Sequence, residues 1–223
     1  TTMEFTFTQD QIAFRDSVSR FLMTEAPPEL LRDIWKTDSG RSPELREKIA
    51  EQGLTGLSVP EAEGGLGLGD VDWSLMTQEL SYYAIPDSLV DVAYIAAGML
   101  AALPEGHAAR AQWLPRIVDG SVRIAVGHPI NPWVADAHLA DLLLLPHATP
   151  QGLELHAVLP AAANVKTERS IDASRRLCRV EWHASAETRI ADGATGQAIW
   201  DEALERGALA VAGQLVGLSQ HML

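Results

Sequence analysis

The sequence predicts an α+β fold: an N-terminal all-helical domain over residues 1–120, a central antiparallel β domain over 121–194, and over 195–223 the first helix of a truncated C-terminal helical bundle. Three observations predict it. Apolar residues recur at helical spacing as far as Val118, the period switches to two beyond Gly120, and it returns to helical steps after Gly196. At roughly 150 residues per domain, 223 residues are enough to bury a substantial core.

The helical part opens with Thr8 and Gln11, the spacing of a capping box. Phe14, Val18, Phe21 and Leu22 then share one face. Pro27-Pro28 ends this helix and starts a short second one toward Trp35. Ser42-Pro43 reads as an N-cap with proline at the first helical position, before a helix that carries Leu45 and Ile49 and stops at Gly53. The glycines between Gly64 and Gly69 make a turn, and Asp70 is placed to cap the next helix, with Leu75, Met76, Leu80 and Tyr83 inward. Pro86-Asp87 opens a helix that runs to Leu103, so apolar that it must be buried on most sides. A last helix from about His107 to Val118 ends at Gly120.

Strands follow. Residues 122–126 alternate until Gly127-His128-Pro129 breaks the pattern. Asp141 leads a buried run of Leu142, Leu143, Leu144 and Leu145, and residues 153–159, 176–182 and 187–190 alternate in turn. Pro150-Gln151-Gly152 and Asp192-Gly193 are turns. Four or five strands with no helix between them predict an antiparallel sheet or small barrel. In the final helix Leu204, Ala208, Val211, Leu215, Leu218 and Met222 form a seam that needs facing helices.

Composition excludes several functions. Apolar residues make up 47% and charged residues 21%, the balance of a folded chain. A net charge of −13 repels phosphate backbones, so no nucleic-acid partner is expected. The uncharged, proline-free stretch 92–103 is too short to span a bilayer, residues 1–5 carry no basic or apolar signal region, and a cytoplasmic protein without a membrane partner is expected. One cysteine, Cys178, rules out an internal disulfide framework and reads as a small buried hydrophobe in a strand. His128, Asp136, His138 and Asp141 lack a compact ligand spacing, so no metal site is expected. Lys166, Arg169, Arg175, Arg176, Arg179 and Arg189 make a locally basic stretch, read as solvated strand charges before a phosphate or acidic-partner site. The glycine loop is not a G-x-G-x-x-G because Asp70 stands at its end, and there is no G-x-S-x-G and no P-loop.

Helices, then strands, then a long helix is an order that resembles the acyl-CoA dehydrogenase family. Phe7-Thr8-Gln9-Asp10-Gln11 is similar to that family's opening helix cap. Gly53-Leu54-Thr55-Gly56-Leu57-Ser58-Val59-Pro60-Glu61, followed by Gly64-Gly65-Leu66-Gly67, resembles its G-L-x-G-L-x-x-P-E-x-x-G-G-x-G segment. Trp113-Leu114-Pro115-Arg116-Ile117-Val118-Asp119-Gly120 resembles the lead into its β domain, and Gly217-Leu218 lies in a counterpart of its first C-terminal helix.

The resemblance implies an oxidoreductase acting on CH–CH groups: an acyl-CoA thioester loses a proton and a hydride, FAD takes the hydride, and the 2,3-enoyl-CoA results. It implies a place in fatty acid or sterol side-chain β-oxidation. The implied partners are acyl-CoA, electron-transfer flavoprotein, and related subunits in a homo- or hetero-oligomer. The cofactor-binding positions it implies are Val126, Gly127 and His128, where glycine replaces the family's flavin-bonding threonine and histidine replaces its glutamate. The general base lies beyond Leu223 in most members; in a minority it lies early in the first bundle helix beside an arginine, at positions that fall here on Gly207 and Ala208. Glu205-Arg206 is the same pair two residues upstream, about 200° round the helix, so Glu205 reads as a solvated charge and no catalytic residue is assigned. These departures leave two readings: part of a working FAD-dependent dehydrogenase, or a non-catalytic subunit that stabilises an assembly and is inactive alone.

Overall fold

The computed structural model describes residues 6–172 and 174–223; residues 1–5, expected to carry no signal region, lie outside them. Helix α1 (Gln9–Glu25) starts on the expected capping box. Gln11 N–H donates to Thr8 Oγ1 at 3.2 Å and Thr8 N–H donates to Gln11 Oε1 at 3.0 Å. Pro27 separates it from α2 (Pro28–Trp35), and Ser42 caps α3 (Pro43–Glu51) by accepting from Leu45 N–H at 3.1 Å.

Two helix starts differ from expectation. Gly69, not Asp70, is the N-cap of α4 (Asp70–Tyr82), and the cap bond runs from Gly69 N–H to Asp72 Oδ2 at 3.3 Å. The Asp70 carboxylate instead accepts the Tyr94 hydroxyl at 2.7 Å. Asp87 opens no helix either. Arg46 and Arg123 hold its carboxylate at 2.7 and 3.2 Å, so the coil persists to Ser88. The following helix passes through a π-helical stretch, Asp91–Ala96, into α5 (Ala97–Ala101). Helix α6 (Ala108–Val118) is capped by His107 and ends at Gly120, whose φ of 73° is the left-handed stop of a helix.

The strands form two sheets among the described residues, ordered β1-β3-β4-β7 and β2-β6-β5. They are β1 (Ile124–Val126), β2 (Trp133–Ala135), β3 (Leu142–Thr149), β4 (Gly152–Val158), β5 (Asn164–Glu168), β6 (Leu177–Glu181) and β7 (Arg189–Ala191). The expectation of a wholly antiparallel sheet needs correction: β1 pairs with β3 in parallel, Ile124 opposite Leu142. The chain leaves β1 for the second sheet, forms β2, turns through Asp136 at φ 56° and a 3₁₀ turn at Ala137–Leu139, and re-enters beside β1 in the same direction. The other pairings are antiparallel.

This layering explains the leucine run. Leu142 and Leu144 face the helices and join a core with Val92, Leu100, Trp113 and Trp200, while Leu143 and Leu145 face the second sheet and join Val134, Val158 and Cys178. A strand buried on both faces needs no alternation. A second helical core gathers Leu22, Ile49, Trp73, Met76 and Tyr94.

Helix α7 (Gly193–Met222) begins at Gly193 behind Asp192, two residues before the expected unit 195–223. Its inward face is Ile199, Trp200, Ala203, Ala210, Gly213 and Gly217, packed on α4 and β4. A Cβ at Gly213 would overlap Thr77 Oγ1, and one at Gly217 the Gln78 carbonyl, so only glycine allows this approach of the two helices. The seam residues Leu204, Val211, Leu215, Leu218 and Met222 point the other way and are exposed.

Candidate functional site

The end of β1 carries the three expected cofactor positions. Val126 is half-buried, Gly127 buried and His128 half-buried. The Gly127 N–H donates to the Leu144 carbonyl at 2.9 Å, so the strand ladder continues through it. A Cβ there would sit 2.7 Å from Leu145 Cδ2. His128 turns its ring edge to Trp200 of α7, centroids 5.3 Å apart, and its Nδ1 accepts from the Ile130 N–H at 3.2 Å. Trp200 therefore belongs to this corner, although its place four residues before Leu204 reads in sequence as an extension of the expected seam. Gly127 offers neither a hydroxyl nor a free N–H, and its neighbour's Nδ1 is engaged. The residues here do not fit a flavin ring held from this strand end.

On α7, Glu205 and Ala208 are exposed. Arg206 lies over the Tyr94 ring at 5.2 Å, donates to the Tyr94 carbonyl at 3.1 Å and pairs with Glu202 at 2.6 Å. Tyr94 in turn stacks on Trp73 at 4.8 Å. Burial, reinforced by the Asp70 bond, pushes the Tyr94 hydroxyl far above the ordinary phenol range. Gly207 faces the π-helical stretch, where the nearest atom to a Cβ would be Ile95 Cδ1 at 3.9 Å. The structure thus puts no carboxylate at either expected base position, and the side chain of Glu205 is exposed.

The other expected residues resolve locally. Asp136 is buried and held in a two-pronged pair by Arg41, Nε to Oδ2 at 2.8 Å and Nη2 to Oδ1 at 2.7 Å. His138 reaches the Ser39 carbonyl at 3.2 Å, and Asp141 accepts the Arg123 N–H at 2.8 Å. Among the described residues no three His, Cys, Asp or Glu side chains are grouped to hold a metal ion. Burial raises the Cys178 thiol pKa, consistent with a structural role. His156, unremarked in sequence, is buried in β4. Its Nε2 faces Glu154 at 3.2 Å and its Nδ1 faces Thr188 at 2.9 Å. Because a carboxylate only accepts, Nε2 carries the proton; burial keeps the ring's pKa below the ordinary range.

A cleft of about 410 Å³ opens between the end of α4, the turn that enters the π-helical stretch, Asp136, Asp172, residues 174–176 and the outer half of α7. Leu80, Ile85, Val90, Val211 and Leu218 supply apolar wall, and Ser88, Asp91 and Gln214 supply polar groups. Burial, with Asp136 adding to it, raises the Asp91 carboxyl to about 6. Sequence reading missed Asp91, although an acid within an almost wholly apolar helix was the signal.

The family model described as "Acyl-CoA dehydrogenase, N-terminal domain" matches residues 8–121. The chain belongs to the acyl-CoA dehydrogenase family. It is 35% identical over 78 residues to the mitochondrial long-chain specific acyl-CoA dehydrogenase of Rattus norvegicus, a match that covers 35% of this chain and 17% of that one. The fold resembles the Tcur3481-Tcur3483 steroid ACAD G363A variant, with a TM-score of 0.79 at 22% identity over 96% of this chain and 64% of that one. It also resembles the ChsE4-ChsE5 complex of Mycobacterium tuberculosis, with a TM-score of 0.80 at 18% identity over 98% of this chain and 66% of that one. At these identities the two structures establish the acyl-CoA dehydrogenase fold alone. The chain spans about two thirds of those structures and a much smaller part of the rat enzyme. No helix among the described residues is long and apolar enough to cross a membrane.

Proposed function

We propose that this chain is a non-catalytic subunit of an acyl-CoA dehydrogenase assembly, in which a related subunit binds FAD and oxidises the acyl-CoA thioester to the 2,3-enoyl-CoA. The observation that carries this reading is the β1 corner: the Gly127 N–H is engaged by Leu144, and no side chain there can replace the missing threonine hydroxyl. Gly207 and Ala208 at the expected base positions support it. General-base removal from a positioned site lowers rates by about 10²–10⁴-fold, so a first bundle helix with glycine and alanine at these positions supplies no base to turnover. Two structural neighbours, Tcur3481-Tcur3483 and the ChsE4-ChsE5 complex, carry two-component names, which agrees with a hetero-oligomer of related subunits. As part of this proposal, residues 1–120, 121–194 and 195–223 serve as helical, β and bundle-entry units.

A second reading, part of a working FAD-dependent dehydrogenase of fatty acyl or sterol side-chain β-oxidation with electron-transfer flavoprotein as acceptor, draws on the cleft beside α7. Its size lies in the range of small-molecule pockets. An absorption spectrum of the purified chain after incubation with excess FAD and desalting separates the two. The first reading expects flavin well below one per chain; a full equivalent of bound flavin would overturn it in favour of the second.

A further inference from the structure

Strand β7 is held to its sheet by few bonds. It is three residues long, lies at the sheet edge, and its register with β4 shifts between Leu155 and His156. Just ahead of it, Ala157 N–H donates to the Thr188 carbonyl at 2.8 Å. Two side-chain ties reinforce this ladder. The Thr188 hydroxyl donates to His156 Nδ1 at 2.9 Å, and Arg189 Nη1 donates to Glu154 Oε1 at 2.8 Å. The same segment seats α7. Asp192, next after β7, is the N-cap of α7 and pairs with Arg189 at 3.4 Å. A Cβ at Gly196, in the first turn of α7, would overlap the Leu153 carbonyl of β4, and Ile190, Ala191, Ile199 and Trp200 share a core with Leu153 and Leu155.

His156 sits at the centre of these ties, 1% exposed. The groups that face it are Glu154 on its own strand, His147 on β3, Arg189 on β7, Thr188 in the 185–188 turn, and the Trp182 ring 5.0 Å away. Glu154 is the one carboxylate among them, with Oε2 on His156 and Oε1 on Arg189. Asp192 meets Arg189 at the surface, its side chain 60% exposed, and makes no bond to the ring. A proton on Nδ1 would therefore add a buried positive charge beside Arg189, facing a carboxylate that Arg189 already shares. It would also reverse the Thr188 bond, since Nδ1–H donates. Turning the hydroxyl to the Ser185 carbonyl, 3.2 Å away, restores that bond but does not compensate the charge.

We propose that His156 is a proton-operated latch: as the neutral ring it ties the 185–188 turn and β7 to β4 and keeps the root of α7 seated, and on taking a proton it lets this segment open. In an opened segment the ring titrates near its ordinary value of about 6.5. Burial, opposed by Glu154, holds the closed ring below that value. In the window beneath 6.5 the open segment thus binds more protons than the closed one, and acid favours opening by up to about tenfold per pH unit. The latch is independent of flavin binding and of the subunit role proposed above.

Hydrogen exchange of the full 223-residue chain at about pH 7.5, 6.5 and 5.5, corrected for the intrinsic exchange rate, reads the latch directly. Opening of residues 186–200 is expected to rise several-fold from about pH 6.5 to 5.5, with no loss of protection in the buried middle of α4. The His156 Cε1–H signal in NMR is expected to titrate below 6.5. His156→Gln turns an amide donor to Glu154 and an amide oxygen to Thr188 without a titrating group, so its opening should stay the same at the three pH values. Thr188→Val keeps the ring and removes its tie. In that variant residues 186–200 should open several-fold more at about pH 7.5, a readout that stands even where His156→Gln does not fold. A His156 titration at or above 6.5, opening of 186–200 that ignores pH, an acid rise that persists in folded His156→Gln, or unchanged opening in Thr188→Val would each overturn the proposal.

Discussion

At the scale of the residue, this chain treats its buried and half-buried acids in two ways. Asp136 and Asp87 sit inside arginine forks that replace the water they lost. Asp91 has no such fork, and its carboxyl is raised to about 6 with burial as the main cause. The sign of the consequence follows from proton linkage. In the unfolded chain Asp91 loses its proton near the ordinary aspartate value, about 3.9. Between that value and about 6 the folded chain binds more protons than the unfolded one, so Asp91 lowers stability as pH rises through this window and holds the penalty above it. Asp91→Asn, measured without ligand, is therefore expected to raise stability by about 1–3 kcal/mol at pH 7–8 and by much less near pH 4. Thermal unfolding at both pH values checks it; an equal shift at the two, or none, would show that the carboxylate is not desolvated.

At the scale of the element, α7 shows how small residues decide packing. Gly213 and Gly207 lie on one helix, yet a Cβ at Gly213 would overlap Thr77, itself bonded to the Trp73 carbonyl, whereas at Gly207 the nearest atom is 3.9 Å away. Gly213→Ala is expected to destabilise by about 1–3 kcal/mol, because overpacking outweighs the helix-propensity gain. Gly207→Ala should stabilise by about 0.5–1 kcal/mol. Urea unfolding of the two variants measures both signs, and the same sign in both would refute the packing argument. Such contrasts also mark what the sequence made legible. The caps at Thr8 and Ser42 and the strand at 153–159 were readable because their signals are local. β2 escaped because it is three residues long and follows Pro132, and β5 because an edge strand of Asn164-Val165-Lys166-Thr167-Glu168 shows no apolar alternation. The parallel β1–β3 pair depends on a crossover through the second sheet, which no local period encodes. At the β1 corner the positions of Val126, Gly127 and His128 were legible through family resemblance. The bond from Gly127 to Leu144 and the contact with Trp200 were not, since both join segments far apart in the chain. The cleft was hidden for the same reason: Ser88, Asp91, Asp136 and Gln214 come from separate elements.

At the scale of the whole molecule, the outer face of α7 sets how the chain associates. Leu204, Val211, Leu215, Leu218 and Met222 are between 42% and 77% exposed along one side of a 30-residue helix. A contiguous apolar stripe of a few hundred Å² is at the upper end of what soluble monomers tolerate. The inner face already packs on α4 and β4, so rotating the helix to hide the stripe would unseat Trp200, Gly213 and Gly217. Association through the stripe would remove it from water at about 25 cal/mol per Å². The purified chain is therefore expected to be a dimer or larger at tens of micromolar by light scattering, held mainly through residues 204–222. Replacing Leu204 and Leu215 together by glutamate should dissociate it, because each charge would be buried unpaired in the interface. Neither residue lines the cleft and both are solvent-exposed in the single chain, so the double variant should keep its unfolding midpoint as a monomer within about 0.5 kcal/mol. A monodisperse wild-type monomer with α7 fully protected in hydrogen exchange would show that the stripe is stable in water and that this face does not drive assembly.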